Sequence, residues 1–153
     1  MKSGAMLRGN GRWGAGVLMV FVTGLLVGGG VAAANAGTAD SAYGYYTVAG
    51  HQYRNQAVVA TNPGAAAAST GTGWSAGGTT AGWAGSRGRL FTSGGSLSCE
   101  GSNTYNGTTG TDAVGVSCRK TGSGSWYSYG VSLGWNGSGY TSFYTYQSPN
   151  QTS

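Results

Sequence analysis

Between Ser125 and Tyr146 the chain reads SWYSYGVSLGWNGSGYTSFYTY, and through its first half large residues alternate with Ser or Gly. A strand turns successive side chains to opposite faces, so Tyr127, Tyr129, Val131, Leu133 and Trp135 share one face while Ser128, Gly130, Ser132 and Gly134 share the other. That period of two excludes a helix here. Asn136-Gly137-Ser138-Gly139 reads as a hairpin turn, which brings Tyr140, Tyr144 and Tyr146 to the same large face. The turn before, Thr121 to Gly124, pairs Cys118 with Tyr127 and Val116 with Tyr129. Three strands then agree on one apolar side, which predicts a meander with its large face packed inward as core.

The rest of the chain supports an all-β class, a small antiparallel β-sandwich or meander. Gly, Ser and Thr dominate, and no stretch after residue 36 carries a useful 3.6-residue apolar period. Ser41 to Val48 and Gln52 to Thr61 read as strands turning near Gly50, and Arg87 to Thr92 and Ser96 to Glu100 as a hairpin. Ala113 to Lys120 places Val114, Val116 and Cys118 on one face. Asn62 to Gly82 starts with a Pro-Gly turn signal, is otherwise small, and reads as a flexible loop. Aliphatic core candidates are few, so the four Trp, ten Tyr and two Phe that follow residue 36 must supply most of the buried area.

Residues 1–36 read as a removed signal peptide. Lys2, Arg8 and Arg12 are basic, Val17 to Val27 is apolar, and Ala34-Asn35-Ala36 is a cleavage pattern. Residues 37–153 would then form one small secreted domain with no membrane span, since the apolar run is shorter than a bilayer requires. Outside the signal the bases are Arg54, Arg87, Arg89, Arg119 and Lys120, against Asp40, Glu100 and Asp112. They form no run longer than a pair, which argues against nucleic acid as a partner. Cys99 and Cys118 are expected to form a disulfide, as is usual for an exported chain.

Catalytic motifs are weak, and the chain is read as a non-enzyme with no cofactor. Gly73 to Gly77 and Gly130 to Gly134 both match G-x-S-x-G, but the composition makes such matches common and no helix pattern follows Ser75 or Ser132. His51, the sole histidine, could act as a base with Asp40, Glu100 or Asp112, yet nothing in the sequence brings these together. One His and two Cys make no usual zinc set, and three scattered acids make no calcium site. The sequons at Asn106, Asn136 and Asn150 arise easily in this composition.

A long signal, a Gly/Ser/Tyr-rich mature chain and one cysteine pair resemble small secreted proteins of Gram-positive bacteria, especially actinobacteria. In plan the chain is similar to the lactococcin 972 type of bacteriocin, small exported β-sandwich proteins directed at other bacteria; no site residue is carried over. The leading functional expectation is a secreted non-catalytic protein that binds another extracellular protein or a cell-envelope glycan, one form being an adaptor in a secreted antibacterial complex. It rests on scarce titratable groups beside abundant Tyr and Trp. Once the core is filled, the contact candidates are Trp74, Trp83, Tyr105 and Trp126. A directly acting bacteriocin and a small hydrolase using His51 with Ser75 or Ser132 are the alternatives.

Overall fold

The most thoroughly buried strand lies where the sequence suggests a loop. The structure, a computed structural model, describes residues 37–153; the signal-peptide reading lies outside them. In chain order the strands are β1 (Gly37–Asp40), β2 (Gly44–Val48), β3 (His51–Asn62), β4 (Ala65–Trp74), β5 (Ala84–Arg87), β6 (Arg89–Thr92), β7 (Leu97–Glu100), β8 (Thr104–Tyr105), β9 (Ala113–Val116), β10 (Lys120–Thr121), β11 (Ser125–Ser128), β12 (Val131–Trp135), β13 (Tyr140–Tyr144) and β14 (Gln151–Thr152). All pairing is antiparallel.

β3 and β4 form one long hairpin, in register from Tyr53↔Trp74 to Asn62↔Ala65, and β4 is buried from Ala65 to Gly73. Only the turn at residues 63–64 and residues 75–82 of the expected loop lie outside a strand. The stretch hid because Ala, Ser, Thr and Gly show no contrast between faces; the same small side chains suit a central strand with a second layer close above it.

Two layers face each other. In the first, β1 and β2 line one side of β3 while β9 and β10 line the far side of β4. The second comprises two four-stranded sheets, β13-β12-β5-β8 and β14-β11-β6-β7. They join end to end, since only Gly88 separates β5 from β6 and only Tyr129-Gly130 separates β11 from β12. The Tyr129 N–H donates to Arg89 C=O at 3.3 Å and the Thr145 N–H to Gly130 C=O at 3.2 Å, carrying the ladder across the bend. The chain therefore folds as a β-sandwich. At one edge β9 crosses the second layer so closely that a side chain at Gly115 would strike the backbone of Ser86 and Arg87. The expected disulfide is present: Cys99 in β7 joins Cys118, between β9 and β10, with Cα atoms 5.9 Å apart. It links the two layers along that same edge.

The alternation in β12 is real, but its sense is inverted. A side chain at Gly134 would meet Val48 and Tyr53 of the first layer, at 3.0 and 3.3 Å, so the small face looks inward. On the opposite side, a side chain at Gly85 would meet Tyr105 and Leu133. Tyr127, Tyr129, Val131, Leu133 and Trp135 therefore line the outer face. Tyr140 and Tyr144 pair with Trp135 and Val131 as the hairpin register requires, and share it. The pairing of Cys118 with Tyr127 and Val116 with Tyr129 does not form, because β11 lies between β6 and β14. In β9 too the small residues Ala113 and Gly115 are buried while Val116 is exposed.

Between the layers two apolar clusters, Val59, Ala66, Ala68, Leu90 and Trp126, and Val48, Tyr53, Ala84 and Ala113, flank a chain of hydroxyls. Ser86 donates to Thr72 Oγ1 at 2.7 Å, Thr72 and Ser132 are 2.7 Å apart, and Ser132 and the Tyr46 hydroxyl are 2.6 Å apart. Small polar side chains can form a core when they satisfy one another in this way. Burial, opposed by the hydrogen bond to Ser132, raises the Tyr46 phenol well above its ordinary value near 10. The unfolded chain then loses this proton first as pH rises, so the contribution of Tyr46 to stability is intact below about pH 10 and falls above it. Urea midpoints measured from pH 8 to 11 should decline above pH 10, and Tyr46→Phe should decline less steeply. Parallel declines would assign the loss to other groups.

Candidate binding face

The outer face of the second layer carries two groups of packed rings. Tyr127 on β11 pairs with Phe91 on β6, and their rings stack with centroids 5.2 Å apart. Phe91 meets Tyr129 at 6.2 Å, and Tyr129 stacks on Tyr144 at 5.3 Å. The Arg89 guanidinium lies 4.8 Å from the centre of Phe91 and 5.8 Å from that of Tyr144, within cation–π range of both. Further along the layer, Tyr105 and Tyr140 are 4.7 Å apart and Trp135 is 5.2 Å from Tyr140. Phe91, Val131 and Leu133 are buried, whereas Tyr144 and Tyr146 are 57% and 61% exposed. Cross-strand ring pairs stabilise such a sheet without a further protein layer above it.

The four aromatics named from sequence fall into three environments. Tyr105 belongs to the exposed face. Trp126 does not: it packs in the core with Leu90 and Val59, and its indole N–H donates to Ser153 Oγ at 2.9 Å. Its strand alternation puts it opposite Tyr127, on the inward side. Trp74 and Trp83 meet edge to face at 6.0 Å with His51 stacked on Trp74 at 4.0 Å, a half-buried cluster at one end of the sandwich. Phe91, Tyr127, Tyr129, Tyr144 and Arg89 were not among the residues singled out for contact. The alternation and its hairpin mark Tyr127, Tyr129 and Tyr144, though as core; Arg89 and Phe91 lie outside it.

The groups proposed for catalysis are engaged elsewhere. Ser132 is fully buried in the hydroxyl chain, and Ser75 Oγ donates to the Gln52 side chain at 2.7 Å. Asp112 pairs with Arg54 at 3.5 Å, and Glu100 lies near Arg87 and Arg89. Beside Trp74, a notch lined by Arg54, Ser75 and Asp112 has a volume of about 30 Å³, enough for one water. Among the described residues no three of His, Cys, Asp and Glu gather as metal ligands, and no helix is long and apolar enough to cross a membrane. Of the sequon asparagines, Asn106 is buried, its amide donating to Thr80 C=O at 2.8 Å and its oxygen accepting from the Ala84 N–H at 3.0 Å. No family model, no curated protein and no solved structure matches the chain.

Proposed function

We propose that this chain is a secreted, non-catalytic binding protein that contacts another extracellular macromolecule through the outer face bearing Phe91, Tyr127, Tyr129 and Tyr144. The carrying observation is the inversion of the β12 alternation: its small residues face the first layer, and Tyr127, Tyr129 and Tyr144 stand on the outer side. Tyr and Trp offer contact area at low entropic cost, and the adjacent arginine adds a residue type enriched in recognition surfaces. Export follows from the N-terminal pattern and agrees with the disulfide. An adaptor in a secreted antibacterial complex is one form of this function.

The test is retention of culture-supernatant proteins and envelope fragments from the producing cells by immobilised protein. Tyr129→Ser/Tyr144→Ser should reduce retention at least tenfold with little change in urea midpoint. Unchanged retention by that variant would remove this face from the function.

A further inference from the structure

Resting on that reading, we infer that the face is built for an acidic polysaccharide, with a carboxylate or phosphate of the glycan held by Arg87 and Arg89 and its sugar rings lying along Tyr127, Tyr129 and Tyr144. Arg87 and Arg89 stand two residues apart across the join of β5 and β6, on the outer side. They share one counter-charge: Glu100 Oε2 is 3.7 Å from Arg87 Nε and 3.5 Å from Arg89 Nε. Two guanidinium groups against one carboxylate leave a net positive charge. Both Nε atoms are buried against Glu100, while the Arg87 side chain stays 34% exposed and that of Arg89 18%. An anion arriving from solvent meets the exposed parts of these two guanidinium groups and not the Nε atoms. Of the other described acids, Asp112 is taken by Arg54 and Asp40 lies on β1 in the opposite layer. No other described acid is left on this face to balance the second guanidinium, so its charge is available to a ligand.

The surroundings favour a glycan over an acidic protein. Protein interfaces centre on a desolvated apolar patch with pockets for anchor side chains. Here Val131 and Leu133, which could form such a patch, are buried, and the exposed rings carry phenol groups. Half-buried Tyr127 and Tyr129 and exposed Tyr144, packed around the buried Phe91, offer separate apolar contacts to the C–H faces of successive sugars. The tyrosine hydroxyls can donate to and accept from sugar hydroxyls. Arg89 is held in place by Phe91 and Tyr144, so little side-chain freedom remains to be lost on binding.

Affinity electrophoresis of the exported, disulfide-bonded protein through gels containing polygalacturonate, a phosphorylated mannan, dextran or polyglutamate would test this. Retardation by polygalacturonate, by the phosphomannan or by both is expected and identifies the anion source, with dextran and polyglutamate at least tenfold weaker. Arg87→Gln/Arg89→Gln should weaken glycan binding at least tenfold and flatten its salt dependence, and Tyr129→Ser/Tyr144→Ser should weaken it at unchanged salt dependence. Equal binding of polyglutamate would overturn the glycan assignment, and equal binding of dextran with indifference to the arginine substitutions would overturn the anion site. Failure to bind any of the four, while Tyr129→Ser/Tyr144→Ser still abolishes capture of a native partner, overturns this inference and leaves the binding face standing. If that variant alters no capture at all, both fall.

Discussion

Gly130→Val is expected to lower the free energy of unfolding by about 3 kcal/mol or more, while Tyr129→Ser, one residue earlier, should lower it by about 1 kcal/mol or less. Ordinary reasoning about a strand of alternating large and small residues would anticipate the reverse, because removing a ring from a core costs several kcal/mol. The structure reverses the order because a side chain at Gly130 would collide with Thr70, which is fully buried in β4 and has no room to move. Tyr129 stands on the open side, stacked on Tyr144, and Ser in its place leaves no enclosed cavity. Urea denaturation of both variants at neutral pH decides the matter. A slope near that of the wild type would show that the folded state remains compact, so the midpoints report stability. If Tyr129→Ser were the more damaging, the rings would be core and the binding face would lose its basis.

The strands were legible wherever large and small residues contrast. The β6–β7 hairpin, the β12–β13 hairpin with its turn at Asn136 to Gly139, and the β2–β3 pair follow from sequence. β4 was not legible, because a run such as Ala65-Ala-Ala-Ala-Ser-Thr has no large residue to mark a face. The sense of the β12 alternation was hidden for a related reason. Periodicity defines two faces, and the choice between them normally rests on hydrophobicity, which selects the large residues. That preference fails when Ser132, Ser86 and Thr72 satisfy one another's hydroxyls, since the usual cost of burying polar groups is then largely removed. Long-range facts decide the outcome: Gly134 must lie under Val48 and Tyr53, and Gly130 against Thr70. The same ambiguity affects Trp126, which the sequence reading leaves for the surface and the structure buries beside Leu90.

Loss of the Cys99–Cys118 bond should cost about 3 kcal/mol, the chain-entropy value for a bridge with a sequence separation of 19. In this fold the loss has a structural direction as well. β7 is an edge strand of the second layer and β10 is a two-residue strand at the edge of the first, and the bond joins these weakly paired margins. Cys99 also packs against the cluster around Leu90 and Trp126, so the opened edge adjoins the core. Cys99→Ala/Cys118→Ala should therefore shift the urea midpoint down by the equivalent of about 3 kcal/mol, and amide exchange should quicken first in β7, β9 and β10. Wild-type protein under reducing conditions should resemble the variant, and reoxidation should restore its midpoint. A shift below about 1 kcal/mol would mean that the two margins hold without the bond. The larger shift would make full stability depend on an oxidising compartment, and would connect the architecture of this edge with the export proposed for this chain.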